Sequence, residues 1–218
     1  MTYHRCYLWH FLKNYQEVLL KIYQDAGLSD LAKASGYQSN SIGSNFRRTH
    51  HFLLETWMSL YQHFLSLFLS RKAPPDFLDY VIKWMKSFPP SKHQQGTFRN
   101  LKQLVEDVSD KYKDFHTDFK KFIEEQSERN QTWKFRSQYV FQDCFAYVSL
   151  YIATRSSKWD LRTAAIKSMA SLFTAYDRPN YQKLIGQHMN DLHNMPQEVL
   201  NHLRSGECTR KAMSFYWN

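Results

Sequence analysis

The apolar side chains Phe98, Leu101, Val105, Val108, Tyr112, Phe115, Phe119 and Phe122 follow one another at spacings of 3, 4, 3, 4, 3, 4 and 3 residues. An α-helix turns once in about 3.6 residues, so such a run lines one face of a helix; in a strand, successive side chains alternate between two faces. Charged residues fill the other positions, among them Glu106, Asp110, Lys111, Asp114, Lys120 and Lys121, as a solvated face requires. The spacing predicts one long helix over 98–122. Its rings are bulkier than the Leu, Ile and Val that usually pack in two-stranded coiled coils. A bundle within the chain is therefore the first expectation, and a protein partner docking along the helix 98–122 the second.

The rest of the chain fits this picture. Gly and Pro number six each in 218 residues, so breaks are few and the elements between them are long. Helical periodicity runs over 3–25, with Gly27 at its end, and over 28–35 before Gly36. It returns over 45–70 and, between the double prolines Pro74-Pro75 and Pro89-Pro90, over 76–88. The stretch 131–154 is apolar on nearly every side and predicts a central buried helix, with a strand at Phe145–Ile152 as the alternative. Asp160–Ala175 makes a further helix. Asp177 is placed to cap the next one, which Pro179 opens, and Pro196 starts a short last one before Gly206. The predicted class is all-α, a bundle or irregular array of about eight helices. It forms a single helical domain over 1–218, with a subdivision into 1–90 and 97–218 as the alternative.

Lys and Arg exceed Asp and Glu by 29 − 20 = +9, and the surplus sits at the ends: +6 over 1–100, −1 over 101–153 and +4 over 154–218. Basic ends attract phosphate backbones through long-range fields. Cys6, Cys144 and Cys208 are odd in number and widely spaced, which argues against a disulfide framework or a zinc knuckle. Residues 1–10 lack the apolar run of a secretory signal, so the expected address is a reducing, intracellular one, nucleus or cytoplasm, with the sequon at Asn130 unused. The Leu- and Phe-rich stretch 52–69 includes Glu55, Gln62 and His63 and falls short of the roughly 20 apolar residues of a membrane span, so no membrane partner is expected.

Motifs of catalysis are missing. No Gly-x-Ser-x-Gly, phosphate loop or Gly-x-Gly-x-x-Gly occurs, and no two of the ten histidines stand three or four apart; only His51 and Glu55 share a helix face. No catalytic residue, metal ligand or cofactor is assigned on this basis. Basic residues interleaved with rings are the one recognisable chemistry, since Lys and Arg neutralise phosphates while rings stack on bases. They occur at Arg47 and Arg48 beside His50 and His51, and at Arg155, Lys158, Trp159 and Arg162 with Arg178 and Lys183.

The segments Ala153-Thr154-Arg155 with Trp159-Asp160-Leu161, and Phe173-Thr174-Ala175-Tyr176-Asp177-Arg178-Pro179-Asn180-Tyr181, carry a resemblance. Over about 135–206 the chain resembles an uncharacterised eukaryotic family associated with mobile elements and related to transposases. The resemblance implies a mobile-element origin and, were the parent proteins to cut DNA with carboxylate-held magnesium, points to Asp143, Asp160 and Asp177 as the nearest carboxylates. No catalytic residue is carried over, because capping of helices accounts for Asp160 and Asp177. The expected function is a non-catalytic helical binding module that contacts nucleic acid or a protein partner through its basic ends. The alternatives are a scaffold built on 98–122 and the remnant of a metal-dependent nuclease.

Overall fold

The computed structural model describes residues 3–37, 41–72, 112–156 and 158–205, with 76–77, 79–80, 82–83, 106–107 and 110 between them. Every regular element among them is helical. The all-α class is therefore observed, and the helix that runs through Phe145–Ile152 removes the strand alternative. Residues 146–150 are buried one after another while Phe145 and Ile152 at the ends stay about half exposed, and a helix satisfies its own backbone where a lone strand could not. The chain divides into two compact units, one from the segments up to Trp57 and from Tyr139 onward, the other from Met58–Gln138. The boundary anticipated between 90 and 97 lies outside the described residues.

Unit one begins with α1 (Tyr3–Tyr23), a π turn at Gln24–Leu28 and α2 (Ser29–Ala34). Gly27 makes the kink inside that turn with φ 104°, a left-handed value that a side chain would resist. The first half of α3 (Phe46–Lys72) follows, started by Asn45, whose side-chain oxygen accepts the Arg48 N–H at 3.1 Å. After a second π turn at Tyr139–Asp143 come α6 (Cys144–Arg155), α7 (Trp159–Ala175), α8 (Pro179–His193) and α9 (Gln197–Arg204). Helix α6 is the central one, with Cys144, Ala146, Tyr147, Val148, Ser149, Leu150 and Ala153 all buried. Around it Tyr15, Leu19, Phe52, Leu53, Met169 and Phe173 complete the core. Phe173 meets Phe11 and Tyr15 edge-on, with ring centroids 4.9 and 5.5 Å apart, the geometry that the ring quadrupoles favour.

The segment Phe173–Tyr181 forms the corner between α7 and α8. Asp177 does not cap α8. It takes the left-handed position after α7, with φ 52°, while the Arg178 N–H reaches the Phe173 carbonyl at 2.9 Å and the Asp177 N–H reaches the Thr174 carbonyl. This is the Schellman closure, which satisfies carbonyls that the end of a helix leaves open. A short polar side chain tolerates the left-handed region better than most, which is why Asp can stand where Gly is usual.

Unit two contains the second half of α3, α4 (Phe115–Arg129) and α5 (Gln131–Gln138). Phe68 is fully buried, 5.2 Å from Phe119 and 5.6 Å from Phe122 between ring centroids, and Trp133 closes on Phe64 at 4.6 Å. Asn130 accepts the Trp133 N–H at 3.1 Å and so starts α5. The single helix expected over 98–122 is not continuous. Tyr112–Asp114 is a turn, α4 begins at Phe115, and the Phe115 N–H closes on the Tyr112 carbonyl at 3.0 Å. The 3–4 spacing survives the break because the rings on both sides of it meet Phe77: Tyr112 at 5.3 Å and Phe115 at 5.9 Å. The seam residues before Tyr112 lie outside the described residues.

Candidate nucleic-acid interface

In unit one the beginning of α3 lies beside α1 and α6, and the contacts form a row of rings. Trp9 of α1 is 5.5 Å from Phe46, Phe46 stacks on His50 at 6.0 Å with planes 9° apart, and His50 lies 4.2 Å from Tyr151 of α6. Helical spacing produces this arrangement, since Phe46 and His50, four residues apart, lie one above the other on α3. Cations occupy both ends. The Lys13 ammonium sits over the Trp9 ring at 5.6 Å; the Arg155 guanidinium covers Tyr151 at 5.4 Å and donates to its hydroxyl at 2.9 Å. Arg47 and Arg48 are both exposed in the first turn of α3, and Lys158 stands exposed in the turn after α6.

The row rests on a polar floor. Gln16 donates to the Tyr147 hydroxyl at 2.7 Å and to the Phe46 carbonyl at 3.3 Å, and Tyr147 in turn reaches His50 Nδ1 at 2.7 Å. Burial, then the neighbouring His51 and Arg155, pull His50 down to about 4, so its ring is neutral at physiological pH. Burial likewise pushes Tyr147 well above the ordinary phenol range and Cys144 up to about 12, so neither the phenol nor the thiol supplies a nucleophile. Asp143 is buried, where its carboxylate accepts the Tyr23 hydroxyl at 2.6 Å and its backbone carbonyl accepts Tyr15 at 3.1 Å.

The structure thus separates the basic residues singled out in the sequence. Arg155 belongs to the ring row, Arg47 and Arg48 are exposed in the first turn of α3, and Lys158 is exposed in the turn after α6. Trp159 is buried, with the half-buried Arg162 on its ring at 5.3 Å and His188 of α8 at 6.4 Å. Arg178 is held by Glu17 at 3.0 Å, and beside it Tyr181 accepts from Asn14. Lys183 is exposed on α8, next to Asn180 and Gln187. Three contributors that sequence reading passed over, Trp9, Lys13 and Tyr151, carried a weak signal: Trp9 and Lys13 stand four apart, as do Tyr151 and Arg155. Nothing in the sequence announced that the helices bearing them meet at Phe46.

The aspartates that the resemblance pointed to serve other ends. Asp143 holds Tyr23 and Asp160 pairs with Arg204 at 3.0 Å, while Asp177 closes α7 through its backbone. Glu55, the neighbour of His51 on α3, accepts the Tyr37 hydroxyl at 2.7 Å. Among the described residues no group of three or more His, Cys, Asp and Glu side chains is placed to hold a metal ion, and no helix is long and apolar enough to cross a membrane. In unit two Phe119 and Phe122, from the expected docking seam, are spent on the core around Phe68.

No protein-family model matches the chain, and no curated protein or solved structure is significantly similar to it.

Proposed function

We propose that unit one is a non-catalytic nucleic-acid-binding module of mobile-element descent, and that it binds through the surface formed by Trp9, Lys13, Arg47, Arg48, Arg155 and Lys158. The observation that carries this reading is the row of rings with a cation over each end. Phosphate binding takes cations on a surface that a polyanion can follow, and the exposed Trp9 ring offers an apolar face to bases. Arg47 and Arg48 stand in the first turn of α3, where the helix dipole also favours an anion. The descent rests on the motifs at 153–161 and 173–181 alone. The docking reading of 98–122 has less support, because the described rings of that seam face the core of unit two, and so has the nuclease reading, because Asp143 and Asp160 have partners of their own.

The test is the anisotropy of a labelled oligonucleotide titrated with the protein across a salt series. Binding whose log affinity falls linearly with log salt, by about 0.7 per phosphate contacted on a single strand, is the expected result. Changing Arg47 and Arg48 together to Ala then lowers that slope by roughly 1.4 on the same rule. No binding at low salt, or an unchanged slope in the double variant, overturns the reading.

A further inference from the structure

The surface also bears on which nucleic acid it takes, a step that rests on the reading above. Trp9 is 42% exposed, an unusual condition for the largest apolar side chain on a helix that buries Phe11, Leu12, Tyr15, Val18 and Leu19. It is not loose. Phe46 braces it at 5.5 Å and His10 meets its edge at 4.8 Å, so the indole is held in place while much of its surface stays in water. A fixed, exposed ring loses little conformational freedom when a flat ligand stacks on it.

We infer that this surface selects single-stranded nucleic acid, with a base stacked on Trp9 and the adjoining phosphate held by Lys13. In a duplex each base face is covered by its neighbours, and exposing one means unstacking and unpairing it. A duplex can therefore use the cations of this surface and leave the indole idle, whereas a single strand uses both. Every base has a π-face, so the preference is for strand state and not for sequence. Lys13 adds to the platform. Its ammonium lies over the indole at 5.6 Å, so a base on Trp9 brings its own phosphate within reach of that charge.

The experiment compares four probes of equal length against the full chain at one salt concentration: oligo-dT, oligo-rU, a DNA duplex, and an abasic deoxyribose-phosphate strand that keeps the charges and lacks the bases. The expected order places both single strands at least tenfold tighter than the duplex and the abasic strand. Trp9→Leu keeps an apolar contact for Phe46 and, with helix content unchanged by circular dichroism, should lose about tenfold on oligo-dT and nothing on the abasic strand. Trp9→Phe should restore most of the loss. Equal binding of abasic and base-bearing strands overturns stacking and leaves the polyanion reading standing. A duplex bound as tightly as oligo-dT overturns the strand selection. Failure of all four probes to bind overturns the function proposed above, a different result from either.

Discussion

The Tyr147 hydroxyl lies 2.7 Å from His50 Nδ1 and accepts from the Gln16 amide at 2.7 Å. Its own proton reaches Nδ1 in the tautomer that carries the imidazole proton on Nε2. The folded protein therefore holds His50 neutral, at about 4 against roughly 6.5 for an unfolded chain. Between those values the unfolded state binds more protons than the folded one, so stability rises with pH across the interval. The contribution is complete above about 6.5 and disappears as pH falls towards 4. Thermal unfolding followed from pH 7 to pH 5 should show a falling Tm, and His50→Gln, which keeps an acceptor for Tyr147 and cannot titrate, should flatten the curve. An equal slope in the two proteins would refute the assignment.

Tyr147→Phe tests the same floor by another route. It deprives His50 and Gln16, both buried, of a shared partner. Leaving buried polar groups unsatisfied costs about 1–3 kcal/mol, far more than the loss of one solvated hydroxyl. Urea unfolding should register a lower midpoint at an unchanged m-value; a midpoint within error of the parent would mean that water replaces the hydroxyl without cost.

At the α7–α8 corner Asp177 holds φ 52°, a region that costs an L-residue about 1–2 kcal/mol and Asp somewhat less. Gly enters it freely but adds entropy to the unfolded chain, so the two effects partly offset. Asp177→Gly should be neutral to stabilising by up to about 1 kcal/mol, while Asp177→Val, branched at Cβ, should destabilise by more than that. The order Gly at or above Asp, Asp above Val, read from Tm, is the prediction. Any other order denies the left-handed closure.

The residues of that corner also show what could be read in advance. Periodicity, with Pro179 and Pro196, anticipated helices where the structure describes them between Phe46 and Arg204, because burial on one face leaves a 3.6-residue imprint however the helices later assemble. It read 131–154 as one buried helix, whereas a π turn at Tyr139–Asp143 separates α5, mostly exposed or half-buried, from α6. It misjudged the helix across Tyr112–Asp114, since the rings on both sides of that turn meet the same Phe77 and so keep the spacing that a continuous helix would have. It also made Asp177 a cap for α8, because Asp before Pro179 suits a cap as well as a left-handed closure and only backbone angles distinguish them. At the interface Arg47 and Arg155 were legible as charges. The place of Arg155 beside His50 is a long-range contact, and local sequence carries no record of it.

Arg178 and Arg162 look alike in sequence, as cations near aromatic residues, and the structure gives them different consequences. Arg178 ties α8 to α1 through Glu17, and half-exposed pairs of this kind contribute roughly 0.2–1 kcal/mol. A double-mutant cycle of Arg178→Ala and Glu17→Ala should return a coupling in that range, and neither change should alter the salt slope of nucleic-acid binding. Among the described residues Arg162 has no acidic partner: its Nε is buried without a hydrogen bond, its guanidinium lies on Trp159, and burial draws it below the ordinary arginine range. A desolvated charge without a counter-ion is expensive, and an apolar side chain of similar length avoids the expense while filling the same space. Arg162→Met should therefore raise the Tm, with Arg162→Ala lower than Met because it opens a void beside Trp159. If Met instead destabilises the fold by as much as Ala, the stacked guanidinium is itself stabilising, and the cation–π contact outweighs the desolvation at this position.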